Sequence, residues 1–166
     1  WKGYKDAMEA VKILRSRNYE IEPVVFGEKL QDPSSLYEEV GFEFEYHYRP
    51  TGEALRRLYA SCGVYLCSSW YEGLGMPSME AMACGATLVT TDTGGSWDYA
   101  QHEETALVSP PKQPEQLADN LARVMDDDKL RNDLAENGCK KINEFSWEAN
   151  SLRLEKLFKE SLTKSK

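Results

Sequence analysis

Apolar residues recur three and four apart at Ala7, Met8, Val11 and Leu14, which predicts a helix over Lys5–Arg17. The pattern then shortens. Ile21–Phe26 is a compact apolar run ending at Gly27, read as a buried strand, and Phe42–Tyr48 alternates aromatic with polar residues as a half-buried or edge strand does. Between them, the stretch from Pro33 to Gly41 reads as a short helix closed by its glycine. Further along, helix over Glu53–Ala60, strand over Val64–Ser69, helix opened by Pro77 and running to Ala83, and strand over Ala86–Thr91 follow one another. A short strand over Thr105–Ser109 and three helices over Glu115–Met125, Lys129–Ile142 and Trp147–Leu162 complete the series.

Strands alternating with helices at this spacing predict βαβ units, hence an α/β domain with a parallel sheet and helices on both faces. A doubly wound domain normally begins with a strand, whereas this sequence passes from Trp1-Lys2-Gly3-Tyr4 directly into a helix. The expectation is one domain over residues 1–166 that lacks its first strand and belongs to a larger protein.

Composition changes this picture mainly by exclusion. A chain of 166 residues suits one domain with a sizeable core. The formal net charge of −8 argues against nucleic acid as the main partner, although local backbone dipoles can still bind a small anion. No apolar run is long enough to cross a bilayer. Cys62, Cys67, Cys84 and Cys139 are scattered without a C-x-x-C pair, which predicts a reduced, cytoplasmic protein in which they serve as small core residues. His47 and His102 stand in no metal-ligand spacing.

The chemistry concentrates in Tyr71–Gly85, where Glu72 and Glu80 flank a glycine-proline turn. In an open parallel sheet, ligands bind beyond the carboxyl ends of the strands, and this segment follows such an end. Gly73 and Gly75 let the backbone approach a ligand, and the following helix offers free amides and a partial positive charge, together a seat for phosphate. Carboxylates repel phosphate, so the two glutamates need another reason. A ligand with hydroxyl groups on either side of its phosphates supplies one, and a nucleotide sugar has that layout. The plainer alternatives are a first-turn acid for Glu80 and a solvated loop carboxylate for Glu72.

Glu72 and Glu80 with the seven residues between them resemble the E-x7-E signature of the group 1 (family 4) glycosyltransferases, retaining enzymes built from two Rossmann-like domains, the GT-B fold. The likeness extends from Lys2-Gly3 at the start, through Leu55–Gly95, to Ala106–Asp127 and Phe145-Ser146-Trp147. It implies the C-terminal, donor-binding half of such an enzyme. By resemblance, Glu80 holds the ribose hydroxyls and Glu72 contacts the donor sugar and takes part in catalysis. The amides of Gly73, Leu74, Gly75 and Met76 hold sugar and phosphates, Lys2 meets the diphosphate, and Arg49 contacts the base. The plain alternatives are a terminal lysine for Lys2 and a surface charge for Arg49, which follows Tyr48 where the family usually has glycine. The family's other diphosphate-binding arginine would lie upstream of Lys2.

The resemblance further implies hexosyl or deoxyhexosyl transfer in polysaccharide or glycoconjugate synthesis, with no cofactor and no metal. The acceptor, a sugar or lipid-linked glycan, would be held by the missing N-terminal domain, which would also make any contact with the inner membrane face. This chain alone is expected to be inactive. Two other classes stay open: an epimerase or phosphorylase on the same fold, and a non-catalytic nucleotide-sugar binding module. Asp126–Asp128 imitates a D-x-D metal motif, but its place between two helices reads as a helix cap. A glycosidase pair of Glu72 and Glu80 lacks an apolar setting to raise one pKa. Cys84 reads as a mid-helix residue without a nearby histidine, not a nucleophile. Gly94 and Gly95 either line the pocket or make a turn, and no role is legible for Trp97 and Asp98.

Overall fold

The computed structural model describes residues 1–28 and 34–164. Every predicted element is present, and Pro33, at the predicted start of the second helix, lies outside the described residues. The order is α1 (Tyr4–Ser16), β1 (Val24–Gly27), α2 (Ser34–Val40), β2 (Glu45–Tyr48), α3 (Gly52–Ser61), β3 (Val64–Cys67) and α4 (Met76–Ala83). It continues with β4 (Thr87–Thr91), β5 (Ala106–Ser109), α5 (Pro114–Asp126), α6 (Asp128–Ile142) and α7 (Trp147–Lys164).

All strand pairing is parallel, in two pieces: β1 beside β2, and β3-β4-β5 with β4 in the centre. β4 is buried along its whole length, as a central parallel strand covered on both faces should be. Its neighbouring residues point to opposite faces. Val89 packs with Leu14, Leu107, Leu117, Leu121, Val124 and Leu134, while Leu88 packs with Met79, Met82, Tyr99 and Ala106. Helices therefore close both faces of the three-stranded piece.

Several strands are shorter than their apolar runs. The β1 ladder opens after Pro23, which has no N–H to give, although its carbonyl still accepts from the Glu45 amide at 3.0 Å. Phe42 and Phe44 alternate as expected but are buried ahead of β2, against Met8, Val11 and Val40. The alternation there reports burial and not pairing. β3 stops at Cys67 because the backbone beyond it turns to other partners: the Trp70 amide donates to Trp1 at 2.7 Å, and the Ser69 carbonyl accepts from the Thr91 hydroxyl.

The cysteine expectation needs correction. All four are partly exposed; Cys67 and Cys84 pack against the buried core without being enclosed by it, and Cys84 caps the end of α4 instead of lying inside it. Asp127 does cap α6, accepting from the Leu130 amide at 2.9 Å, and Asp128 lies in the first turn.

Candidate functional site

Between β3 and α4 the chain makes the glycine-proline turn, and its course is fixed by backbone contacts. The Glu72 amide donates to Thr93 at 3.2 Å, and Glu72 pairs in a parallel bridge with Gly94. This brings two loops together so closely that a Cβ on Gly95 would stand 1.9 Å from the Gly73 carbonyl oxygen. Gly94 and Gly95 thus make the turn by which the second loop supports the first. Gly75 takes the left-handed conformation, φ 75°, and a Cβ there would meet the buried Tyr99 hydroxyl at 2.5 Å. Burial pushes the Tyr99 phenol up to about 12, against a hydrogen bond with Ser78 that lowers it.

Because Gly75 caps the helix, α4 begins at Met76, one residue before Pro77. No side chain caps it; Pro77 has no N–H, and the Ser78 and Met79 amides donate to the Gly75 carbonyl at 2.9 and 3.3 Å, so within the first turn it is the Met76 amide that is left to an anion. The early start also moves Glu80. It stands in the second turn and not in the first, where a dipole-complementing acid would sit. The carboxylate of Glu80 instead accepts from the Tyr59 hydroxyl at 3.2 Å. Tyr59, buried, packs edge-on against Phe26 and Tyr65, with ring centroids 5.7 and 5.5 Å away.

Lys2 is pinned rather than frayed. Its carbonyl accepts from the Ser68 hydroxyl at 3.2 Å, and Gly3 sits so near β3 that a Cβ would lie 1.7 Å from the Ser68 oxygen. The Lys2 ammonium donates to Glu72 Oε1 at 2.6 Å, and the Ser69 hydroxyl donates to the same oxygen at 2.7 Å. The Glu72 side chain is 16% exposed and that of Lys2 is 72% exposed. Burial alone would raise the Glu72 carboxyl, but the hydrogen bonds from Lys2 and Ser69, with the ammonium charge, hold it below its ordinary value.

The structure therefore brings Lys2, Glu72 and the Gly73–Met76 turn into one place, with Glu80 on the helix that follows. Arg49 is elsewhere among the described contacts. It is exposed, has φ 47°, and its guanidinium faces Glu28 at 3.9 Å. Sequence reasoning missed Ser69, Tyr59 and Tyr99, whose parts are set by tertiary contacts with no local signal. Trp97, unassigned from sequence, donates its indole N–H to Asp92 at 2.6 Å and stays 68% exposed. Among the described residues no group of three or more His, Cys, Asp or Glu is placed to hold a metal ion, and no helix is long and apolar enough to cross a membrane.

Parallel strands between helices define a Rossmann-like domain, with Lys2, Glu72 and the glycine turn gathered beyond the carboxyl end of β3. A family model described as "Glycosyl transferases group 1" matches residues 1–141, and the chain belongs to that family. It is 31% identical over 137 residues to a D-inositol 3-phosphate glycosyltransferase of Corynebacterium jeikeium, covering 81% of this chain and 32% of that protein. An uncharacterized glycosyltransferase of Methanocaldococcus jannaschii is 34% identical over 98 residues, covering 58% of this chain and 25% of that protein. The chain thus spans about a third or less of the length of these relatives.

Solved structures agree on the fold. The C-terminal domain of a group 1 glycosyl transferase (LpcC) from Francisella tularensis superposes with a TM-score of 0.74 at 23% identity, covering 87% of this chain and 79% of that one. Anabaena HepE, solved in complex with UDP, gives a TM-score of 0.78 at 19% identity, covering 96% of this chain and 46% of that one. The fold is that of the C-terminal half of a GT-B glycosyltransferase.

Proposed function

We propose that this domain binds a nucleoside diphosphate sugar and forms the donor-binding half of a retaining glycosyltransferase, which moves the sugar to an acceptor hydroxyl. The observation that carries the reading is the placement of Glu72 and Glu80 before and after an uncapped helix start, with Lys2 beside Glu72. The amides of the turn Gly73–Met76, at the positive end of α4, would take the diphosphate, Glu80 the ribose hydroxyls and Glu72 the sugar. A UDP complex of a protein with the same fold supports a nucleoside diphosphate as ligand.

The mechanism follows from charge. As the sugar–phosphate bond breaks, negative charge grows on the leaving diphosphate and positive charge on the sugar ring. Preorganised amides and an ammonium favour the first, and the Glu72 carboxylate favours the second. No step requires a metal in this reading. Hexosyl or deoxyhexosyl transfer in polysaccharide or glycoconjugate synthesis, on the cytoplasmic side, is the biological setting we assign. The acceptor is held by the rest of the enzyme.

Calorimetry of this chain with UDP, UDP-glucose, GDP-mannose and ADP-glucose tests the binding half of the reading. One nucleoside diphosphate is expected to bind and to raise the melting temperature by mass action. If none binds, the donor assignment fails. A product assay with the longer protein separates a transferase from an epimerase, a phosphorylase or a binding module.

A further inference from the structure

The carbonyl oxygen of Gly75 is crowded. Besides the Ser78 and Met79 amides at 2.9 and 3.3 Å, a third donor, the Tyr99 hydroxyl, reaches it from beneath the turn at 3.4 Å. A carbonyl oxygen has two lone pairs, so the three donors draw on it together. Tyr99 and Ser78 are both buried, and Ser78 is hydrogen-bonded to the phenol. Because the phenol gives its own proton to Gly75, the serine hydroxyl is the donor in that second bond, which is why it lowers the phenol's pKa. The result is a buried line of three groups: the Ser78 hydroxyl, the Tyr99 hydroxyl and the Gly75 carbonyl.

Tyr99 is held in place from a different part of the chain. Its backbone folds back on the buried Ser96, whose carbonyl accepts from the Tyr99 and Ala100 amides at 3.1 and 2.7 Å. The Thr105 hydroxyl donates to the Tyr99 carbonyl at 2.6 Å and accepts from the Gln101 amide at 2.9 Å. The ring packs among Met79, Met82, Leu88 and Ala106. The hydroxyl has little freedom, since a Cβ on Gly75 would stand 2.5 Å from it. Burial keeps the phenol protonated, and therefore a donor, throughout the physiological range. Phenylalanine would fill the same apolar space, so the part that is particular to tyrosine here is the pair of bonds its oxygen makes.

The other end of the same peptide unit is the Met76 N–H, the amide left to an anion. We propose that Tyr99, with Ser78 behind it, is a positioning residue for the diphosphate: it fixes and polarises the Gly75–Met76 peptide, which makes the Met76 amide a stronger donor to phosphate. This rests on the assignment of the diphosphate to the glycine turn. Donors on a carbonyl oxygen draw electron density from the amide nitrogen it is conjugated with. Hydrogen bonds joined in a chain strengthen one another by about 10–30% each. The effect runs both ways. An anion on the Met76 N–H returns density to the Gly75 oxygen and strengthens the bond from Tyr99.

NMR spectroscopy of the 166-residue chain tests this with two variants. Tyr99→Phe keeps the ring and removes the hydroxyl, and Ser78→Ala breaks the line at its far end. With no nucleotide present, Tyr99→Phe should move the Gly75 carbonyl carbon and the Met76 amide nitrogen upfield, by more than the same atoms of Gly73 and Leu74. Ser78→Ala should move them in the same direction by less. By NMR titration, affinity for UDP should fall about two- to fourfold in Tyr99→Phe, the effect of losing one polarising bond behind a charge-assisted one. Affinity for uridine, which has no phosphate, should not change. Gly75 and Met76 signals that stay in place would overturn the proposal. So would equal losses for UDP and uridine, which would make Tyr99 a support of the fold alone. If Tyr99→Phe does not fold, the same signals and affinities in Ser78→Ala decide the matter. If the original chain binds no UDP, the donor-binding reading fails, and the nucleotide-free signals still decide whether Tyr99 polarises the peptide.

Discussion

Lys2 and Glu72, separated by 70 positions in sequence, meet at 2.6 Å, so the group expected to hold diphosphate and the one expected to hold sugar neutralise each other before any ligand arrives. A diphosphate would draw Lys2 away from Glu72, and the Ser69 hydroxyl would remain to hold the carboxylate. Glu72→Gln should therefore leave affinity for UDP within about 0.5 kcal/mol of the original or tighter, by calorimetry. In the longer enzyme the same change should slow sugar transfer at least tenfold, about 1.4 kcal/mol of lost transition-state stabilisation. Transfer at the original rate would reduce Glu72 to a loop carboxylate.

The same pair makes a prediction about pH. Burial opposes ionisation of Glu72, but Lys2 and Ser69 outweigh it and its pKa lies below the ordinary value. A depressed carboxyl contributes stability that is present above its unfolded-state pKa and lost as pH falls through its folded-state pKa. The carboxyl-carbon NMR titration of Glu72 should have its midpoint below the usual glutamate value of about 4.3. Lys2→Met should move it up. A wild-type midpoint at or above the usual value would contradict the geometry.

Glu80 and Tyr59 are tested together. Glu80→Ala should weaken UDP binding by about 1.5–3 kcal/mol, the range for hydrogen bonds to a charged group. Tyr59→Phe removes one neutral donor to that carboxylate and should cost about 0.5–1.5 kcal/mol. Neither should alter the affinity for a 2′,3′-dideoxy nucleoside diphosphate, which has no ribose hydroxyls for Glu80 to hold. Equal losses for both ligands would show that the substitutions damage the fold and not the recognition.

The close approach of the two loops is also measurable. Gly95→Ala places a methyl 1.9 Å from the Gly73 carbonyl oxygen and 2.6 Å from that of Glu72, both backbone atoms that cannot swing aside. The expected cost is about 1–3 kcal/mol, a fall in melting temperature of at least about 2 °C by calorimetry. An unchanged melting temperature would mean that the loops are farther apart than described.

The strands and helices were legible because hydrophobic period reports burial, and burial follows secondary structure through most of this chain. It misled where the two part company, as at Phe42 and Phe44, which are buried without being paired. The two glutamates were legible because the turn and its acids form a local pattern. Their supports were not. Tyr59 reaches Glu80 across 21 residues, and Lys2 reaches Glu72 across 70, distances over which periodicity carries no information. The early start of α4 was hidden because it depends on the left-handed conformation of Gly75, which a glycine permits without announcing.

Gly73 differs from its neighbours Gly75 and Gly95: a Cβ built on it meets nothing within 4 Å, and, unlike that of Gly75, its φ is not positive. Neither packing nor conformation demands glycine there. Gly73→Ala thus adds a single methyl that the folded chain can ignore and a ligand lying on the turn cannot. The melting temperature should stay within about 1 °C, while UDP affinity should fall at least tenfold, about 1.4 kcal/mol. An unchanged affinity would move the ligand off that face. One carbon atom then separates what the polypeptide needs to hold itself together from what it needs to recognise something else.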